Sequence, residues 1–350
     1  DLNAYSTAFI NFNNNSCVND TSTNKNKSKG KSSDAIQNFT ALVNPFVGTG
    51  GHGHTFPGAV YPFGMMQLSP DTRLDGWDGC SGYHYSDSLI YGFSHTHLSG
   101  TGVPDYCDVL FMPGTGTANL KIAAEDKQAF ASSFRKESEK ASPGYYSVLL
   151  DKHKIQAEFT VGKRTGIHHY TFKNKSDQWL LIDLKHRDKL LKAGFTNVGL
   201  NFIEGNRVSI GWARQQYVYF KSVFSKNIKS IQYSADSLKA IIYFVENSSK
   251  DLYAHVAISA VDALGASKNL EGEYNQFNFN KMHSETKAQW NKMLGRMQVL
   301  DPDSKGKRIF YTALYHNLIH PSLFQDVDNR YRGMDLNIHS TLQILKLKQS

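Results

Sequence analysis

The sequence predicts a mainly β chain, with a large antiparallel β-sandwich over residues 41–275 and helices after it that open a second domain. Three observations carry this. Short runs of β-branched and aromatic residues recur through about 235 residues, with turn residues between them and no helical period. From Lys281 onward the apolar residues take up the three-to-four spacing of an amphipathic helix. Ahead of both, residues 1–40 are rich in Asn, Ser, Thr and Lys. They hold too little apolar surface to offset the entropy of ordering, which predicts a disordered tail.

The strand-forming runs are Tyr106–Met112, Tyr145–Leu150, Ile155–Val161, Gly166–Phe172, Trp179–Leu184, Tyr217–Phe224, Ala240–Val245 and Leu252–Ser259. Ser142-Pro143-Gly144 and Glu204-Gly205-Asn206 read as hairpin turns. Residues 276–302 read as a linker helix whose apolar stripe is Met282, Trp290, Met293, Leu294 and Met297. Another helix begins near Asp303, with Ile309, Phe310, Ala313, Leu314, Asn317 and Leu318 as its stripe, and Pro321 stops it. Two helices cannot enclose a core of their own. Residues 303–350 therefore read as the start of an unfinished domain, and its uncovered apolar faces are expected to promote association.

The chain has 39 basic and 31 acidic residues, a net charge of +8, unevenly placed. Between residues 41 and 110, Arg73 stands alone against six aspartates, at positions 71, 75, 78, 87, 105 and 108. Elsewhere the basic residues are scattered, and Lys185-His186-Arg187-Asp188-Lys189 reads as a solvated face. No phosphate-binding stripe forms, which argues against nucleic acid as a partner. No run of 18 apolar residues occurs, so no membrane-spanning helix is predicted. Cys17, Cys80 and Cys107 form no CxxC pair and no disulfide framework. Cys80 and Cys107 could pair in an oxidising compartment or stay as buried thiols. There is no initial Met and no apolar signal stretch, so the N-terminus neither shows nor excludes export.

Twelve glycines lie between residues 41 and 110. Gly48, Gly50 and Gly53 match the dinucleotide fingerprint GxGxxG, but Pro57, Gly58 and Pro62 forbid the helix that should receive the pyrophosphate. The segment reads instead as loop backbone passing close to a ligand or another domain. His52, His54, His84, His95 and His97 cluster here. In a strand, His95 and His97 share a face. They could chelate a metal, contact a ligand or pack as hydrogen-bonded core residues, and no third ligand at a diagnostic spacing accompanies them. His316 and His320, without HExxH, read as structural. Gly76-Trp77-Asp78-Gly79-Cys80 sets an indole beside a carboxylate on a loop. Sugars present C–H faces that stack on Trp and hydroxyl edges that need acceptors, so this is a sugar-site candidate. The alternative is a core plug with Asp78 capping a turn.

The run from Asn44 to Ala59, Asn-Pro-Phe-Val-Gly-Thr-Gly-Gly-His-Gly-His-Thr-Phe-Pro-Gly-Ala, resembles family 92 of the glycoside hydrolases, the calcium-dependent α-mannosidases. Tyr61–Arg73, Gly76–Tyr85, Gly92–Gly102, Phe310–His316 and Asp328–Asp335 carry the resemblance on, so that it spans roughly residues 41–335. It implies an N-terminal β-sandwich, linking helices and a C-terminal (α/α)6 barrel. The chain would hold only the first barrel helix, with an aberrant end after about residue 335.

The implied activity is exo-acting, inverting hydrolysis of terminal α-linked mannose on N-glycans or mannans, with α-1,2-type linkages foremost. Calcium is the implied cofactor and export the implied location: secreted, periplasmic or cell surface. A non-catalytic carbohydrate-binding sandwich is the alternative. The loop Trp that this family lends to the mannose subsite matches Trp77. The substrate-binding set is Trp77, Asp78, Cys80, His52 and His97. The catalytic residues and most calcium ligands are expected beyond Ser350, so that the chain alone is expected to be inactive.

Overall fold

The computed structural model describes residues 10–11, 38–121, 126, 128–175, 177–273 and 276–341. Most of the 1–40 segment expected to be a disordered tail, and the chain end from residue 342, lie outside the described residues. The strands of the sandwich are β1 (Ala59–Val60), β2 (Gln67–Asp71), β3 (Gly92–Ser94), β4 (Leu110–Thr115), β5 (Lys140–Ser142), β6 (Tyr145–Leu150), β7 (Ile155–Val161) and β8 (Thr165–Thr171). They continue as β9 (Gln178–Asp183), β10 (Lys189–Val198), β11 (Phe202–Ile210), β12 (Gln216–Phe224), β13 (Ile228–Tyr233), β14 (Lys239–Phe244) and β15 (Asp251–Ser259).

Two antiparallel sheets result. One has eight strands in the order β10-β11-β12-β15-β8-β7-β6-β5, the other seven in the order β13-β14-β9-β4-β3-β2-β1. Along β11 and β12, buried and half-buried residues alternate, the period-2 signature of a sheet with one face in the core. All six residues of β9 are buried, because it lies inside its sheet between β14 and β4. Phe159 on β7 sits at the centre, fully buried, with its ring 4.3 Å from Phe93 of the opposite sheet. Burying a side chain of this size contributes about 1.5–3 kcal/mol.

β6 and β7 occupy the residues whose pattern predicts them. The run expected from Tyr106 starts late, at Leu110. Tyr106, Cys107 and Val109 have φ of 78, 60 and 56°, outside the β region. The turn expected at Glu204–Asn206 is instead the middle of β11. A Cβ on Gly205 would lie 2.7 Å from the Phe220 ring, so the glycine serves close packing rather than a reversal.

Three α-helices follow: α1 (Ala263–Glu273), α2 (Phe279–Leu294) and α3 (Ser304–Asn317). Asn278 caps α2 by accepting from Lys281 N–H, and Asp303 caps α3 by accepting from the N–H groups of Lys305 and Gly306. α1 was not foreseen. The buried face of α3 is Tyr311, Thr312 and Tyr315, not the predicted stripe: Ile309 is 62 % exposed. The aromatic rings of α3 point into a second core with Phe39, Phe56, Val60, Tyr83 and Trp290. Trp290 Nε1–H donates to Val60 O at 2.6 Å, fastening α2 to the glycine-rich segment. After α3, the hairpin β16 (Arg330–Arg332) and β17 (Ile338–Ser340) is held to the start of α1 by Arg330, which donates to Asp262 at 2.6 Å.

Candidate functional site

Backbone hydrogen bonds draw three glycine-rich loops together. Tyr85 N–H donates to Thr49 O and Gly100 N–H to His54 O, each at 2.8 Å. Strand β1 follows Gly48–Gly53 where a dinucleotide fold would need a helix.

Trp77 opens a one-turn 3-10 segment, Trp77–Gly79, and is 57 % exposed. It is not a core plug. His54, itself buried, holds its ring at 89° to the indole with centroids 4.2 Å apart, and the His52 ring lies 5.2 Å away. The indole Nε1 sits over Gly102, where a Cβ would come within 2.7 Å, so only glycine lets the ring settle there. His52 Nδ1 lies 2.7 Å from Asp78 Oδ1, and that hydrogen bond lowers the Asp78 carboxyl below its ordinary range. His54 Nε2 is buried without a hydrogen-bond partner and stands 3.7 Å from the same oxygen. An immobilised aromatic face beside an ionised carboxylate can stack on C–H groups and accept from hydroxyls.

Of the five residues proposed for ligand contact, the structure thus brings Trp77, Asp78 and His52 together at the surface. Cys80 (1 % exposed) and His97 (fully buried) lie in the layer beneath it. His95 and His97 do not converge either. His95 Nδ1–H donates to Val109 O at 2.6 Å, its Nε2 meets His168 Nε2 at 3.0 Å, and His168 Nδ1 meets Tyr170 O–H at 2.7 Å. With Nδ1–H of His95 committed to a carbonyl, its Nε2 accepts from His168, which in turn accepts from Tyr170. Burial holds His95 down at about 4 and His168 well below the ordinary range, consistent with two neutral rings.

The layer under Trp77 was largely missed in the sequence. His97 Nδ1–H donates to Gln67 O at 2.9 Å, and its Nε2 lies 2.8 Å from Asp71 Oδ1. Burial works against the Asp71 charge, but His97 and His186 overcome it and hold the carboxyl far below its ordinary range. Cys107 is buried here as a free thiol, as Cys80 is nearby, and burial raises the pKa of both. Arg187 donates to Gly79 O at 2.6 Å and reaches Cys107 Sγ at 3.6 Å, so it joins the Trp77 turn to this layer.

The segment 185–189 is a solvated face only at Lys185 and Lys189, which are exposed. His186 and Arg187 are nearly buried, and burial pushes the Asp188 carboxyl up to about 7. Arg207, also buried, pairs with Asp108 and donates to Arg187 O. The partners Cys107, Gly79 and Asp108 lie 80 to 108 residues from their arginines, beyond any local spacing rule.

Calcium takes six to eight oxygen ligands. Beside Trp77 the Asp78 carboxylate is already engaged by His52. The group of three that could hold a metal among the described residues is Asp71, His97 and Cys107, which mixes oxygen with nitrogen and sulfur. Neither set suits calcium.

Comparison with known proteins accounts for this arrangement. Residues 42–259 match the glycosyl hydrolase family 92 N-terminal domain, and residues 265–346 match the catalytic domain of the same family, past Asp335, where the recognisable motifs stop. A family 92 α-mannosidase from Bacteroides thetaiotaomicron is 35 % identical, with a TM-score of 0.80 over 87 % of this chain and 44 % of its own. It is also known in complex with mannoimidazole. A second protein of that organism, named a family 92 inverting mannosidase, is 25 % identical with a TM-score of 0.76, covering 87 % of this chain and 43 % of its own. An Arthroderma benhamiae protein named an uncharacterized secreted glycosidase is 26 % identical over 327 residues, 80 % of this chain and 41 % of its own. This chain spans less than half the length of each. Joined to the shared sandwich and helices, these matches settle its kinship: the chain belongs to glycosyl hydrolase family 92.

Proposed function

We propose that this chain builds the sugar-stacking side of an inverting exo-α-mannosidase acting on terminal mannose of N-glycans or mannans, α-1,2 linkages foremost. The observation that carries this is the braced, exposed face of Trp77 beside Asp78 and His52. In this reading the indole covers the apolar face of the terminal mannose and keeps water off it. Asp78 accepts from sugar hydroxyls, and His52 holds that carboxylate in place. Inversion also needs a carboxylic acid and a carboxylate about 6.5–9.5 Å apart, with water between them. We assign neither role to a residue of this chain. Calcium, when bound in the whole enzyme, would polarise sugar hydroxyls, and its ligands are placed outside the residues described. The secreted relative supports work outside the cytoplasm, in the periplasm or at the cell surface.

Half a site cannot offset the entropy of association, so the chain alone should bind mannose more weakly than about millimolar and release none from α-1,2-mannobiose. Chelator-sensitive release of mannose by this chain would overturn the inactivity. The exposure of Trp77 also favours a second reading, a non-catalytic carbohydrate-binding sandwich. Titration with mannose separates the two, because a binding module should saturate at millimolar concentrations or below.

A further inference from the structure

We infer that Asp71, His97 and Cys107 form a structural zinc site beneath the Trp77 loop. The three ligand atoms lie within 4.8 Å of one another, and all three residues are fully buried. Zinc takes nitrogen and oxygen ligands at about 2.0–2.2 Å and thiolate at about 2.3 Å, so tetrahedral neighbours stand about 3.3–3.7 Å apart. His97 Nε2 and Asp71 Oδ1, now 2.8 Å apart, would have to open by less than about 1 Å to reach that spacing. Thiolate with imidazole selects zinc over calcium or magnesium.

Three details favour an ion over a set of packed side chains. First, His97 spends its Nδ1–H on the Gln67 carbonyl, the outer contact that typically orients a metal-bound imidazole. Its Nε2 then meets Asp71 Oδ1 at 2.8 Å, a contact made attractive either by a second proton on the ring or by a metal ion. Second, His186 Nε2 stands 2.9 Å from Asp71 Oδ2, an outer contact that orients the carboxylate toward the other two ligands. Third, Cys107 holds a left-handed backbone at φ 60°, a strained conformation for a non-glycine residue. A strained thiol aimed into a buried imidazole–carboxylate pair suits a ligand better than a core hydrophobe. Arg187, 3.6 Å from Cys107 Sγ, favours the thiolate that zinc requires, and through Gly79 O it ties the ion to the Trp77 turn.

The test uses the whole chain, produced with zinc, dialysed against metal-free buffer and analysed by elemental mass spectrometry. About one zinc per chain is expected. Replacement by cobalt(II) should give the charge-transfer band of a sulfur–cobalt bond. Cys107→Gly removes the sulfur while suiting the backbone angle, so it should stay folded and drop at least tenfold in zinc content. A chain that retains no zinc and shows no sulfur–cobalt band overturns the site, leaving a doubly protonated His97 in its place. Equal zinc in Cys107→Gly overturns it as well, since the ion would then sit elsewhere. The cobalt band on the unmodified chain decides the question should the variant fail to fold.

Discussion

The rings of His54 and Trp77 stand at 89° with their centroids 4.2 Å apart, a buried imidazole bracing an indole that is 57 % exposed. Such ring contacts are worth about 0.5–1.5 kcal/mol. In the full-length protein, His54→Ala should lower mannoside affinity roughly 2- to 10-fold and increase quenching of tryptophan fluorescence by acrylamide. An unchanged affinity would show that Trp77 either does not touch sugar or needs no brace.

Gly102→Ala tests the same platform from below, since its methyl would press on Trp77 Nε1. The indole must shift, so the fluorescence maximum should move and mannoside binding weaken, while the melting temperature stays within a few degrees. A large loss of stability with unchanged fluorescence would place the strain elsewhere.

His168 and His255 make the sandwich acid-sensitive. Burial lowers His255 to about 4 and His168 well below its ordinary range. The unfolded chain binds protons on these rings from about pH 6.5 downward while the folded chain does not, so stability falls as pH drops from 6.5 toward 4. Each unit of difference is worth about 1.4 kcal/mol, a loss on the order of a few kcal/mol across the window. Urea midpoints at pH 7.5 and 5 measure it. His255→Gln should flatten the slope, and an identical slope would assign the acid loss to other groups.

Phe159→Ala removes the ring at the centre of the sandwich, in contact with Phe93 and fully buried. The cost should be about 3–5 kcal/mol. A denaturant titration showing less than about 1.5 kcal/mol would mean that the two sheets close over the gap.

Trp290→Phe strips the donor from Val60 O and leaves a buried carbonyl unpaired. The loss should be about 1–3 kcal/mol. It should be concentrated between the helices and the glycine-rich segment, so limited proteolysis should cut there first. Uniform protection across that junction would count against a clamp at this position.

The patterns of Tyr145–Leu150 and Ile155–Val161 determined their strands because period-2 alternation is a local property that the pleat reads directly. α2 and α3 were legible as elements for the same reason, from their period, whereas α1 was not. Which face of α3 would be buried was not legible. Tyr311 and Tyr315 turn inward because Trp290 and Phe39 wait there, while the more apolar Ile309 meets solvent.

The site divides along the same line. Trp77 beside Asp78 was visible as chemistry on a loop, because the two are adjacent in the chain. That Cys80 and His97 would face inward, and that His186 and Arg187 would be buried against Asp71 and Cys107, depended on how the sheets stack. Sequence alone determined the family, eight of the sandwich strands and the helices α2 and α3. Tertiary structure alone decided which polar residues lost their water, because burial is set by partners eighty or a hundred residues away rather than by neighbours in the chain.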